Sequence, residues 1–440
     1  MHRHNDKEFP GLTADAVKTA GRISMISSYL KTALFLVSIM MACLYQRPGS
    51  ADDSDSRPWK VDVEVLRSPQ YEALMQGNLY CDGQDRLWLP VGISFDKKTT
   101  TDAYIAQSAG MLLLSENQGR TWRRTEQPHP HPPDESVALS DGSLARTRSS
   151  GWVRYPRDKY DELWSEGRYV WDLGEDLGFC AVHKDMWFER SADGGRTWQV
   201  QAVHEQLPFF AHFVINPLLK LPNGCLINFA YGYPPERRNG SGIGGRSNAY
   251  CVRSRDDGQS WQLVAMADGV LSPSARGFGE IYPVVLEDGR IFAMLRTKLA
   301  NFAYLVISSD GGLTWSKPRQ TPVRAKHPRP TLLRDGSILV TYQRRFAQPY
   351  GVRARFTQDL GASWSEEVVI CDDIHDPDGL HQPNTVELSD GTLFTTFDAT
   401  KQDDLGRPGP FIGGSHWTRN YRHPYGPQLD VPAPREKLSR

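Results

Sequence analysis

The chain is poor in cysteine, and nothing about the few it has suggests a metal centre. Six occur in 440 residues: Cys43, Cys81, Cys180, Cys225, Cys251 and Cys371. None forms a Cys-x-x-Cys pair or clusters with histidine, which argues against zinc and leaves no metal or other cofactor to expect. With Cys43 set aside as part of a leader, the remaining number is odd and most sit in apolar strand contexts, so buried free thiols are expected. The chain also lacks an excess of charge of either sign. Its formal net charge is −1, which offers no general attraction to nucleic acid. Long apolar runs are missing too, apart from Thr32 to Leu44. That run is about a dozen residues, short of the roughly 20 a helical membrane span needs. Lys31 precedes it and Gly49-Ser50-Ala51 follows, as in an export segment. Residues 1–51 are therefore expected to be a leader or an N-terminal anchor, with Met25 an alternative start and Ala42-Cys43 leaving a lipoprotein open. The exported remainder is expected to be periplasmic, secreted or surface-anchored.

What the chain does have is repetition. Five segments follow the pattern Ser/Thr-x-Asp/Asn-x-Gly-x-Ser/Thr-Trp: Ser115 to Trp122, Ser191 to Trp198, Ser254 to Trp261, Ser308 to Trp315 and Thr357 to Trp364. The Asp or Asn accepts hydrogen bonds from its own turn, the Gly supplies a positive φ, and the Trp plugs the turn against the next strand. Copies roughly 50 to 75 residues apart indicate an array of β units. A second motif, apolar-x-Asp/Asn-Gly, interlocks with the first at Leu139, Leu221, Leu286, Leu333 and Leu388, with Cys81-Asp82-Gly83 a looser first copy. Asp-Gly between apolar runs is a hairpin signal.

Together the motifs predict an all-β fold, a six-bladed propeller of four-stranded antiparallel blades over residues 59–420, followed by a Pro-rich tail over 421–440. The blades begin near residues 75, 136, 210, 278, 327 and 381. The sixth has strands enough for three, ending with Pro410 to Trp417, and no Trp turn. Val61 to Leu66 alternates with period two and is expected to supply its outer strand, closing the ring and removing a free edge.

A six-bladed propeller carrying this turn, the Asp box, resembles the sialidase (neuraminidase) superfamily over roughly residues 70 to 420. The Asp boxes speak for the fold; activity has to be argued from the hub. The resemblance implies three arginines clamping a substrate carboxylate, an Asp acid/base and a Tyr nucleophile paired with Glu. Guanidinium suits a carboxylate because it binds in two-pronged geometry. Glu280 and Arg296 match the family's Glu and second clamp arginine in order and spacing, and Asp102 matches its acid/base position. Arg353 fits the third arginine best, with Arg344 and Arg345 competing. Two departures stand out. The first strand reads Ala73 to Leu79 without arginine, and the last blade opens Asp378-Gly379-Leu380-His381-Gln382-Pro383-Asn384 without tyrosine.

The replacements outline a different polar hub. Counted back from each blade's turn, Glu280, His327 and Gln382 fall at equivalent places, with His381 beside the last and His212 related in blade three. Arg329 follows His327 in Lys326-His327-Pro328-Arg329-Pro330. Histidines, a carboxylate and arginines converging there suit acid/base work on an acidic sugar. Asp102, Glu280, His327 and His381 are the expected catalytic groups. Arg296, Arg353, Arg345, Gln382, Arg329 and His212 are the expected substrate contacts. Trp152, Trp164 and Trp171, in an insertion in blade two, line a sugar platform or simply pack. The expected activity is hydrolysis of terminal, acidic sugars of glycans by a monomer. A non-catalytic carbohydrate-binding propeller and a polysaccharide lyase, with His327 or His381 as base, remain the alternatives.

Overall fold

The computed structural model describes residues 60–67, 73–94, 109–127, 136–149, 152–166, 170–172, 178–183, 186–203, 217–232, 246–271, 277–297, 302–374, 382–402 and 408–421. The leader, the Pro-rich tail and the expected site residues Asp102, His212 and His381 lie outside them.

Six antiparallel sheets form the blades of a propeller. Blade five shows the plan: Lys326–Leu332, Ile338–Arg344, Tyr350–Thr357 and Val368–Ile374, each paired with the next. The Asp-Gly turn joins its first two strands. Leu333 N–H donates to Ser337 O, Gly336 N–H returns to Leu333 O, and Asp335 Oδ1 accepts from Ser337 N–H at 2.9 Å. Blade four repeats this with Phe278–Val285, Ile291–Thr297, Phe302–Ser308 and Arg319–Arg324. Blade three uses Leu219–Lys220, Leu226–Gly232, Asn248–Ser254 and Gln262–Ala267.

Blade one has an inner strand in two pieces, Ala73–Gln76 and Tyr80–Cys81, both paired with Leu87–Ser94. Its left-handed turn position is shifted by two residues from the sequence expectation. Asp82 N–H donates to Arg86 O, and Asp85, not Gly83, takes the left-handed slot with φ +57°. Blade two is Val137–Ala138, Leu144–Ser149, Met186–Ser191 and Gln199–Ala202. The insertion between its second and third strands builds a small sheet of its own, Val170–Asp172, Phe179–His183 and Trp152–Pro156, capped by a short helix, Tyr160–Ser165. Trp164 is 9 % exposed and packs there on Leu163, Val170, Cys180 and Val182, so it plugs a satellite core and offers no sugar platform.

Blade six closes the ring as the sequence predicts. Asn384–Glu387, Leu393–Gln402 and Pro408–Trp417 come from the C-terminal end, and Lys60–Arg67 pairs with the last of them from Trp417 to Phe411. The apolar cores lie between blades. Val65, Leu388, Phe394 and Ile412 of blade six pack with Leu74, Leu89 and Leu113 of blade one. Tyr282, Phe292 and Leu305 of blade four pack with Ile338, Val340 and Tyr342 of blade five. Burial at roughly 25 cal/mol per Å2 thus ties each sheet to its neighbour, and the closing strand spares the ring an exposed edge. The five cysteines among the described residues form no disulfide with one another, and four of them are buried.

The Asp boxes form as expected. In the fourth, Ser308 Oγ accepts from Gly312 N–H at 2.8 Å, and Asp310 Oδ1 accepts from Leu313 and Thr314 N–H at 3.0 and 2.9 Å. The indole N–H donates to the box glycine's carbonyl in Trp122, Trp198, Trp261 and Trp364.

Candidate functional site

The inner strands of a propeller run side by side around the axis, so residues the same distance from each turn share a level. On one level stand Gln76, Glu280, His327 and Gln382, in blades one, four, five and six. Two residues on stand Asn78, Tyr282, Arg329 and Asn384. The second level reaches from blade to blade. The Tyr282 hydroxyl meets His327 Nδ1 at 2.5 Å. The Arg329 guanidinium donates to Asn384 Oδ1 and to Asn78 Oδ1. Asn384 Nδ2 donates to Gly77 O at 3.1 Å, and Gln76 Nε2 donates to Gln382 O at 2.6 Å. A polar belt therefore runs from blade four through five and six to blade one. The matching stretches of blades two and three, 128–135 and 204–216, lie outside the described residues.

Glu280 joins this belt through Arg296, whose Nη1 donates to its carboxylate across the two inner strands of blade four. Both side chains are mostly buried, at 13 % and 17 % exposure. Burial pulls the Arg296 pKa down, and the Glu280 carboxylate more than offsets it, so the guanidinium sits above its ordinary value and stays charged. The Tyr282 phenol is pushed well above its ordinary range, first by burial and then by Glu280, against the opposing pull of Arg329 and Arg296. These charges act on one another, so the four groups form one electrostatic cluster.

Several polar atoms here lack partners among the described residues. Arg296 Nε, Gln76 Oε1, both amide atoms of Gln343 and Thr396 Oγ1 are buried without a hydrogen bond. Gln343 occupies in blade five the place Arg296 holds in blade four, one residue short of the second strand's end. Buried polar atoms of this kind need solvent or a ligand to satisfy them. His327 is also unusual in its backbone. With φ +49° it adopts the left-handed region inside a strand, at a bulge between Lys326 and Arg329. The other non-glycine residues with positive φ among those described lie in turns. Such strain, of order 1–3 kcal/mol, gathers at functional positions.

The expected residues thus divide. Glu280, Arg296, His327, Arg329 and Gln382 meet in the belt, Gln382 through its carbonyl. Arg345 lies half-buried just past the second strand of blade five. Arg353 is elsewhere. It is 0 % exposed, on the third strand, with its guanidinium on the carbonyls of Cys371, Val352 and Pro349 and Nε 3.6 Å from Glu367. That environment holds a strand edge together and leaves no surface for a carboxylate clamp. Sequence reasoning missed Tyr282, Asn78 and Asn384. Their level relative to Glu280, two residues further from each strand start, was the available signal. Among the described residues no group of acids, histidines and cysteines has metal-site geometry.

The BNR repeat-like domain family matches residues 168–328. No curated protein matches the sequence. A protein of unknown function from Dyadobacter fermentans superposes with a TM-score of 0.59 at 20 % identity, over 82 % of this chain and 99 % of that one. The NanB sialidase of Streptococcus pneumoniae, as its K499G mutant, gives 0.45 at 12 % identity over 82 % and 71 % of the two chains. The Hadza microbial sialidase Hz136 gives 0.47 at 13 % over 79 % and 67 %. At 20 % identity the likeness to the Dyadobacter fermentans protein is one of fold. The described residues thus form six propeller blades with five Asp boxes, and the BNR repeat-like match runs from blade two into blade five.

Proposed function

We propose that the protein is an exported glycoside hydrolase acting on terminal, acidic sugars of glycans. The observation that carries this reading is the convergence of the Glu280–Arg296 pair with Tyr282–His327 and Arg329–Asn384–Asn78 at the hub. In it, the Glu280 carboxylate is the basic group that stabilises positive charge developing at the sugar or activates water. Arg296 pairs with it and orients it, and Arg329 recognises the substrate's carboxylate. Glycoside hydrolysis needs a second group to protonate the leaving oxygen, and Asp102 and His381 are the candidates this reading assigns. The apolar segment Thr32 to Leu44 supports export.

The test is release of sugar from a panel of glycans ending in sialic acids, uronic acids or neutral sugars. Release from the acidic members is the expected result. Binding without release would mark a carbohydrate-binding propeller, and an unsaturated product absorbing in the ultraviolet would mark elimination. Either outcome ends the hydrolase reading.

A further inference from the structure

Tyr282 and His327 are not equals. Tyr282 is 1 % exposed and His327 9 %, so the imidazole is the more accessible member of the pair. The buried phenol keeps its proton, and a buried O–H left without an acceptor is costly. Among the described residues the acceptor within reach of that hydroxyl is His327 Nδ1, at 2.5 Å. A ring nitrogen accepts only when it carries no proton, and in a neutral imidazole the proton then sits on the other nitrogen. The His327 backbone takes the left-handed bulge at φ +49°, and its ring plane stands at 71° to the Tyr282 ring with centroids 6.0 Å apart.

We propose that Tyr282 fixes His327 as the Nε2–H tautomer, so that His327 serves the site as a hydrogen-bond donor to an acceptor oxygen of the glycan and not as its base. Tyr282 is a positioning residue, acting through His327. Basic work falls to Glu280, and elimination with His327 as the proton acceptor is disfavoured, because that reaction needs a bare Nε2. The identity of the ligand rests on the glycan reading above; the tautomer does not.

The experiment is nitrogen NMR of the full chain labelled at histidine, above the range in which imidazole titrates. The His327 signals are those lost in His327→Gln. The expected spectrum has Nδ1 at the unprotonated position and Nε2 at the protonated position, coupled to its hydrogen. Tyr282→Phe removes the donor, and Nδ1 is expected to shift toward the average of the two tautomers. A protonated Nδ1 in the unaltered protein overturns the proposal, as does a Tyr282→Phe spectrum identical to it. Should the Phe variant not fold, the unaltered protein's spectrum still decides. Adding glucuronate as a probe is expected to move the Nε2–H signal; an unmoved signal refutes the donor role. An inactive protein with the Nε2–H tautomer sinks the hydrolase reading and leaves this one standing. Sugar release by a protein with Nδ1–H does the reverse.

Discussion

At the rim, Asp310 finds its partners three and four residues along the chain; at the hub, Tyr282 finds His327 45 residues away on the next blade. The two regions draw on similar polar residues and use them differently. Rim carboxylates are spent inside their own turns in four of the five boxes, with Asn117 in the first, on backbone amides and hydroxyls. Hub side chains bridge blades, change between blades four, five and six, and leave Arg296 Nε and the Gln343 amide without partners among the described residues. A repeated residue satisfied locally is scaffold; an unrepeated one satisfied across blades, beside unsatisfied neighbours, is where chemistry is to be sought.

Substitution at the two regions should separate them cleanly. The largest effect is expected at Glu280→Gln, which keeps the shape and an acceptor but removes the charge. Turnover on any glycan the protein cleaves should fall about 10^2- to 10^4-fold, the usual worth of a positioned acid or base, with the thermal midpoint moving by only a few degrees. Retained turnover would reduce Glu280–Arg296 to a structural ion pair.

Gly258→Ala is the converse at the rim. Gly258 has φ +86°, and an added Cβ would lie 2.3 Å from the Phe188 ring. Strain and overpacking should together cost about 2–4 kcal/mol in chemical denaturation, while the folded fraction keeps its glycan affinity. Arg353→Met probes a third environment, neither rim nor hub. Removing a buried guanidinium that serves three backbone carbonyls should cost about 2–3 kcal/mol. A variant that lost glycan affinity at an unchanged unfolding midpoint would put Arg353 back into a clamp.

The same division explains what could be read in the sequence. The Asp boxes, the Leu-x-Asp-Gly turns and the closing strand Lys60–Arg67 were legible because their hydrogen bonds or alternation lie within a few residues. The shifted first turn was not, since Asp85 takes a left-handed slot that glycine fills in the other blades and so hid the register. Glu280, Arg296, His327 and Arg329 could be named from their distance to the turns. Their partners could not, because which side chain meets which across blades depends on how sheets pack. Arg353 misled for the same reason. An arginine near a strand end looks alike in sequence whether it faces the axis or is sealed between strands.

The smallest effect, and the sharpest check on the rim, lies in acid. Hydrogen bonds from the Ser363 hydroxyl and amide hold the Asp359 carboxyl down to about 2, from its ordinary 3.8. A depressed folded-state pKa means stability that is present above the unfolded value and is lost as pH falls through the folded one. The Asp359 contribution should therefore hold above about pH 4 and fade from there toward pH 2. Asp193, Asp256 and Asp310 are lowered likewise, whereas the first box carries Asn117, which makes the same turn contacts through a neutral amide. The protein thus contains its own control. In urea titrations between pH 2 and 5, Asp359→Asn should flatten the acid slope by the share of one box, and the reverse change, Asn117→Asp, should steepen it. Equal slopes in all three proteins would mean that the boxes do not sense acid, and that the carboxylate is chosen for its geometry rather than its charge.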